Sequence, residues 1–174
     1  MNYLIVIDMQ KDFVSGTLGS GEAKAAVPGL IRKIKEFGGE VLYTQDTHGS
    51  AYLLSQEGKK LPVSHCILGT EGWELIDEIK EADPGCRERS FQKDTFGSTE
   101  LMGYLTKKNQ ESGISSLEFV GVCTDICVIS NALMAKAFLP EVPVLVDSRC
   151  CAGTSPENHE NALKAMACCQ IELK

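Results

Sequence analysis

The sequence contains little positive charge and no long apolar run. Its 174 residues include 17 Lys or Arg against 24 Asp or Glu, which gives a formal net charge of −7. Because no basic cluster occurs either, the composition argues against nucleic acid or an anionic membrane as a partner. No apolar stretch approaches the ~20 residues of a membrane-spanning helix. The first residues, from Met1 to Asp8, meet an acid after a few apolar residues, which is typical of a strand and not of a signal peptide.

The cysteines lack the spacing of a disulfide framework or of a structural zinc site. The chain has 8 of them, but Cys150-Cys151 and Cys168-Cys169 are adjacent pairs and no Cys-x-x-Cys pair occurs. We therefore predict a reduced, cytoplasmic protein in which most thiols serve as packing groups.

Apolar strand-like segments alternate with amphipathic helical patterns along the chain. The predicted strands are residues 3–8, 40–44, 86–92, 117–120 and 142–147, with a small edge strand at 171–173. This alternation predicts an α/β fold with a mostly parallel sheet of about six strands and helices on both faces. No linker or repeat divides the sequence, so we predict a single domain over residues 1–174.

A short stretch, residues 121–128, joins one of these strands to a helix. Thr124 or Asp125 is suited to cap that helix, and Cys127 then falls in its first turn. A thiol at a helix N-terminus is expected to have a lowered pKa, and the free N–H groups there can hold an oxyanion. The alternative is that Cys127 is a small buried hydrophobe.

Three polar residues are predicted to meet at one edge of the sheet. Asp8, Lys93 and Cys127 each lie at or beyond the carboxyl end of a different strand, the edge at which open α/β sheets bind ligands. Together they offer a base, a cation and a nucleophile for acyl transfer to a thiol. Taken singly, Asp8 is better explained as a turn cap and Lys93 as a solvated loop charge. Only their joint placement with Cys127 favours a catalytic role.

A second polar group follows the second strand. Asp46 and His48 lie at its end, and a loop at residues 49–70 without clear periodicity carries Glu57 and His65. One carboxylate and two imidazoles form a suitable open set for zinc, manganese or iron, and Glu57 can join directly or through a water. An ordinary loop histidine is the alternative for His65. His159 is expected to be a surface or capping residue.

Residues 8–13, the Lys93 segment and the Gly-x-x-Thr-Asp-x-Cys element of residues 121–127 resemble the isochorismatase-like cysteine hydrolases. The resemblance runs in order from residue 3 to about residue 150. It implies a Rossmann-like three-layer fold, an Asp8-Lys93-Cys127 triad and a homo-oligomer. It also implies a cis peptide between Val122 and Cys123 that turns the amides of Cys123 and Cys127 toward one oxyanion.

Within that family, the set Asp46, His48 and His65 is similar to the metal site of the nicotinamidases. The resemblance implies a divalent metal, with zinc favoured, that receives the pyridine nitrogen of nicotinamide. Phe13 matches the aromatic residue that lines their ring pocket, and Ile126 is a further predicted substrate contact. Two features depart from the pattern. The first is Pro62, which occupies a position where several members have tryptophan; Trp73 is the candidate to replace that ring in the pocket wall. The second is the lack of an additional histidine in the loop, for which Glu57 is the candidate substitute.

The sequence thus favours a cysteine amidohydrolase that converts a small amide, nicotinamide foremost, to an acid and ammonia through a thioester. One alternative keeps the triad but takes another small amide or a carbamoyl compound as substrate. The other alternative is a metal- or ligand-binding protein without turnover.

Overall fold

One parallel sheet of six strands forms the centre of the structure, a computed structural model that describes all residues from 1 to 174. The strands are β1 (Asn2–Ile7), β2 (Glu40–Asp46), β3 (Ser90–Lys93), β4 (Ser116–Val122), β5 (Val144–Ala152) and β6 (Glu172–Leu173). Their order across the sheet is β3-β2-β1-β4-β5-β6, and every neighbouring pair is parallel. The predicted α/β class and strand number are confirmed.

Helices cover both faces of this sheet. They are α1 (Lys11–Val14), α2 (Gly21–Glu36), α3 (Gln56–Lys60), α4 (Asp77–Ala82), α5 (Thr99–Ser112), α6 (Ile129–Phe138) and α7 (Pro156–Cys168). Helices α2 and α4 contact each other, and α6 contacts both α5 and α7. With right-handed crossovers, α2 and α4 lie on one face of the sheet and α5, α6 and α7 lie on the other. No helix combines the length and apolar character needed to cross a bilayer.

Two strands differ by more than two residues at one end from their predicted extents, which the other strands match to within two residues at each end. The apolar pattern predicts a strand over residues 142–147, but β5 continues to Ala152. A register shift after Phe119 lets the later part of β5 pair with the end of β4, with Val122 opposite Ala152. β3 begins only at Ser90, because the residues before it form a 3-10 turn. Both differences arise from pairing and turn contacts that hydrophobic periodicity does not report.

The strand order reverses between β1 and β4, and this crevice holds the polar residues of interest. Strands β1 and β4 approach closely at their carboxyl ends, where Gly121 has φ +114°. A Cβ atom at Gly121 would lie 2.2 Å from the carbonyl oxygen of Ile7, so a side chain is excluded there. Ligands of open α/β sheets bind outside the strand ends at such a reversal.

Candidate active site

Asp8, Lys93 and Cys127 come together at the carboxyl edge of the sheet. Asp8 directly follows β1, Lys93 is the last residue of β3, and Cys127 lies in the turn after β4. Lys93 Nζ lies 2.7 Å from Asp8 Oδ2 and donates a 3.5 Å hydrogen bond to Cys127 Sγ. All three residues are buried. A carboxylate, an ammonium group and a thiol therefore share one site, shielded from bulk water.

The turn that carries Cys127 is a π-helical segment, Thr124–Val128, which leads into α6. The expected cap at Thr124 or Asp125 is wrong, because no side chain caps this turn. Thr124 Oγ1 instead lies 2.8 Å from His159 Nδ1, so His159 is tied to the site turn. The Asp125 carboxylate accepts hydrogen bonds from the amide and hydroxyl of Thr154. The peptide bond that precedes the turn, between Val122 and Cys123, is cis.

Burial controls the protonation of these groups. It raises the pKa of the Cys127 thiol well above its ordinary value, and the Asp8 charge adds to this while Lys93 opposes it. The expectation of a lowered thiol pKa is therefore wrong, because burial removes the solvation that a thiolate needs and the nearby carboxylates disfavour it further. Burial also raises the pKa of Asp8 against the opposing charge of Lys93. For Lys93, burial favours the neutral amine, but the negative charges of Asp8 and Asp46 outweigh it and raise the pKa.

Asp46, His48 and His65 form a compact buried cluster beside this group. Asp46 Oδ2 lies 2.9 Å from His48 Nε2 and 3.4 Å from His65 Nε2. Glu57 Oε1 lies 3.8 Å from His48 Nε2 and 3.9 Å from His65 Nε2. Burial tends to raise the pKa of Asp46, but hydrogen bonds to both imidazoles and the charge of Lys93 lower it overall.

This cluster has the donor set and spacing that a divalent cation requires. One ligand atom from each of Asp46, His48 and His65 lies within 4.8 Å of the others. His65 Nδ1 donates a 2.8 Å hydrogen bond to the carbonyl of Val63, which leaves the lone pair of Nε2 directed at the cluster. The residues present therefore fit a zinc-like cation.

Two residues that support the cluster were missed in the sequence. The side-chain amide of Gln10 accepts from the amide of Asp46 at 2.8 Å and donates to its carbonyl at 2.9 Å. Asp12 Oδ2 accepts a 2.8 Å hydrogen bond from the amide of Cys66, next to His65. Both residues lie within the segment that follows β1, so their proximity to the strand end was the available signal.

A cavity of about 980 Å³ opens over Cys127. Phe13 and Ile126 line it, and the ring of Phe13 lies 5.5 Å from that of His65. Trp73 does not line it, because its indole is buried and donates to Thr47 Oγ1 at 2.9 Å. The prediction of Trp73 as a substrate contact is therefore corrected.

Other apolar side chains form the wall that Trp73 was expected to supply. The ring of Tyr52 lies 4.6 Å from His48 and 4.9 Å from His65. Leu61 and Phe96 also line the cavity. Hydrophobic periodicity does not report these residues, because Tyr52 and Leu61 lie in the aperiodic stretch 49–70 and Phe96 lies in the segment between β3 and α5. Their large apolar side chains were the only signal.

These features define an α/β protein with a buried thiol, amine and carboxylate beside a cluster suited to a divalent metal. The chain belongs to the isochorismatase domain family, whose model matches residues 2–173.

Similar proteins support this assignment. An isochorismatase family protein of Bacillus subtilis is 30% identical over 94% of this chain and 93% of its own length. A nicotinamidase of Schizosaccharomyces pombe is 28% identical over 98% of this chain and 91% of its own length. The structure of a Pyrococcus horikoshii pyrazinamidase in complex with zinc has a TM-score of 0.78. It is 28% identical and covers 99% of this chain and 98% of its own.

Proposed function

We propose that this chain is a cysteine amidohydrolase that converts nicotinamide to nicotinate and ammonia. The observation that carries the proposal is the position of Lys93, whose Nζ contacts both Asp8 Oδ2 and Cys127 Sγ. This arrangement provides a base for the thiol and a cation for the thiolate that results. The named activities of similar nicotinamidases and pyrazinamidases support nicotinamide as the substrate.

The proposed reaction begins with proton transfer from Cys127 to Asp8 as the sulfur attacks the amide carbon. A resting thiol, and not a thiolate, fits the raised pKa of Cys127. Lys93 stabilises the negative charge on sulfur, and the amides of Cys123 and Cys127 are the proposed donors to the oxyanion. Asp8 then gives its proton to the leaving ammonia. Water hydrolyses the thioester with Asp8 again acting as the base, which restores the thiol.

We further propose that Asp46, His48 and His65 hold a divalent metal, with Glu57 as an additional ligand directly or through a water. Zinc is favoured because two imidazoles are present, and manganese and iron are the alternatives. The bound cation supplies a Lewis-acid position for the pyridine nitrogen of the substrate. The zinc-bound pyrazinamidase from Pyrococcus horikoshii supports this assignment.

The test measures ammonia release from nicotinamide by the purified protein, before and after chelation and after addition of zinc, manganese or iron(II). We expect turnover to fall on chelation and to return with one of these metals. Cys127→Ala should lower kcat/KM by about a thousandfold or more, because the nucleophile is lost. The matched control is Cys168→Ala, since that thiol is exposed at the end of α7.

Full activity in Cys127→Ala would refute the thioester mechanism. Metal binding without ammonia release from any small amide would favour the binding protein without turnover. Release from a carbamoyl compound but not from nicotinamide would keep the thiol chemistry and replace the substrate.

The location, domain organisation and assembly of the chain are also part of the proposal. All eight cysteines are free thiols, which supports a reducing, cytoplasmic setting. We propose that residues 1–174 form one hydrolase domain and that the domain forms a homo-oligomer, as the family resemblance implies. Light scattering of the purified protein measures the assembly directly.

A further inference from the structure

The cavity over Cys127 has two chemically different sides. Apart from the two cysteines, its ionisable lining side chains all lie at the end of β2 or in the segments after β2 and β3: Asp46, His48, Tyr52, Glu57, Lys60 and Asp94. The opposite wall is formed by residues at and just after the end of β5 and by residues at and just before the start of α2. This helix packs against β4 and β5. We name this wall the β5-side lobe, and it consists of Leu18, Ser20, Ala23, Ala152, Gly153 and Thr154.

The β5-side lobe offers no charged group, and its two hydroxyl groups are already engaged. Ser20 Oγ accepts a 3.0 Å hydrogen bond from the amide of Ala23 at the start of α2. Thr154 Oγ1 donates to the carboxylate of Asp125 and accepts from Asn158 Nδ2 at 2.9 Å. Leu18, Ala23 and Ala152 supply the remaining side chains. A group that enters this lobe therefore finds mostly apolar contact, with the hydroxyl hydrogen of Ser20 as the one side-chain donor that has no acceptor.

The geometry of an amide determines which part of a substrate can reach the lobe. A carbonyl carbon at Cys127 has three substituents. In the proposed function, the acyl group points toward Asp46, His48 and His65, and the oxygen points toward the backbone amides of the Cys127 turn. The remaining substituent is the amide nitrogen. The β5-side lobe adjoins the Cys127 turn, because the amide and hydroxyl of Thr154 both donate to the carboxylate of Asp125 in that turn. The whole cavity, about 980 Å³, lies at the upper end of the range for drug-sized ligands and far exceeds one pyridine carboxamide.

We propose that this site also hydrolyses secondary amides whose nitrogen carries a small apolar group, with that group seated in the β5-side lobe. The inference rests on the proposed function and extends it. Cys127 forms a C–S bond as the C–N bond breaks, and the leaving amine departs with the proton that Asp8 took from the thiol. Water then hydrolyses the thioester, so the products are the carboxylic acid and a primary amine in place of ammonia.

The first experiment compares nicotinamide with N-propylnicotinamide on the metal-loaded wild-type chain. Nicotinate is quantified by chromatography in both assays, so the same product reports both reactions. We expect kcat/KM for N-propylnicotinamide to be at least about one tenth of that for nicotinamide, because the lobe accepts the propyl group without a clash. A smaller ratio, with nicotinamide still hydrolysed, overturns the inference and leaves the proposed function intact. Hydrolysis of neither compound overturns both.

The second experiment reduces the volume of the β5-side lobe by substituting larger side chains for two of its residues and measures the same ratio of kcat/KM values. Leu18→Trp enlarges a half-buried loop side chain, and Ala23→Leu enlarges a buried one in the first turn of α2. In each variant we expect the ratio of the two kcat/KM values to fall by about tenfold, since a steric loss at the lobe affects only the larger substrate. The matched control is Ala25→Leu, which lies exposed on α2 outside the cavity and should leave the ratio unchanged.

Two measurements separate a specific effect from misfolding. Circular dichroism and metal content are determined for each variant, and Leu18→Trp serves if Ala23→Leu does not fold. An unchanged ratio in a folded lobe variant overturns the placement of the nitrogen substituent. A tenfold fall in a lobe variant, together with an unchanged ratio in Ala25→Leu, supports it.

Discussion

Asp46 and Lys93 are register partners on the adjacent strands β2 and β3, and Lys93 Nζ lies 3.5 Å from Asp46 Oδ1. Register partners in a parallel sheet project from the same face, so this pairing sets the carboxylate–imidazole cluster against the ammonium group that contacts Asp8 and Cys127. The two parts of the site are therefore electrostatically linked through one lysine.

This link predicts that Lys93→Met separates metal affinity from activity. Loss of the ammonium group removes a positive charge next to Asp46, so we expect zinc to bind more tightly. The gain is limited to about tenfold, because Asp8 takes up a proton once its partner is lost. Amide hydrolysis should fall with the same change. Competition with a chromophoric chelator measures affinity, and Cys127→Ala is the control that loses activity without altering affinity. Weaker zinc binding in Lys93→Met would contradict the prediction.

A second prediction concerns the acid limb of the pH–rate profile. Asp8 must be ionised to accept the thiol proton, so activity is present above its pKa and is lost as the pH falls through it. Burial raises that pKa above the ordinary value of 3.8, while a hydrogen bond from Thr44 Oγ1 at 2.6 Å lowers it. Thr44→Val should therefore move the limb of kcat/KM upward by about one pH unit.

The profile is measured with metal in excess, so that titration of the histidine cluster does not limit the rate. Thr44→Ser keeps the hydroxyl and is the matched control, with a limb at the wild-type position. A limb in Thr44→Val that coincides with wild type would remove Asp8 as the titrating base.

Glu57→Gln tests the acidic side chain next to the cluster. Burial and the charge of Asp46 raise the pKa of Glu57, which is the response of a carboxylate held beside another one. A bound cation relieves that repulsion, so we expect the variant to bind zinc about tenfold more weakly. Lys59→Gln changes an exposed residue of the same helix and should retain wild-type affinity in calorimetric titration. Equal affinities in the two variants would exclude Glu57 as a ligand.

A fourth prediction concerns stability, at a charge cluster remote from Cys127. Lys33 Nζ lies 2.5 Å from Glu118 Oε1 and 2.6 Å from Asp147 Oδ2, and both carboxylates are buried. Lys33→Met should lower the free energy of unfolding by about 2 kcal/mol at neutral pH. The loss is partial because Lys174 still pairs with Glu118 and Arg149 with Asp147.

The pH dependence of that loss follows from the two carboxyl groups. Burial opposes their ionisation, but the neighbouring cations outweigh it and lower the pKa of both Glu118 and Asp147. Their contribution is therefore complete above the ordinary values of 4.5 and 3.8 and is lost as the pH falls through the lowered values. Urea unfolding should show a large difference between wild type and Lys33→Met at pH 7 that shrinks at about pH 2. Lys24→Met, at an exposed position of α2, is the control.

The sequence by itself determined which strands carry Asp8, Lys93 and Cys127 at or just beyond their carboxyl ends, and with that the meeting of these three residues. Parallel strands deliver their carboxyl ends to one edge, so residues far apart in the chain were predicted to converge without any knowledge of side-chain contacts. The short spacing of Asp46 and His48 similarly predicted a polar pair at the end of β2. In each case a local pattern placed the residue at the end of a strand, and the parallel sheet then brought these strand ends to one edge.

Only the tertiary structure decided how those side chains are paired and which rings surround them. The buried environment of Cys127 raises the pKa that the helix N-terminus alone would lower, because desolvation depends on every neighbouring segment. The indole of Trp73 lies outside the cavity lining and donates to Thr47, and the ring of Tyr52 packs against His48 and His65. Hydrophobic periodicity reports burial along one segment, whereas these outcomes depend on contacts between residues on different loops, which no local pattern encodes.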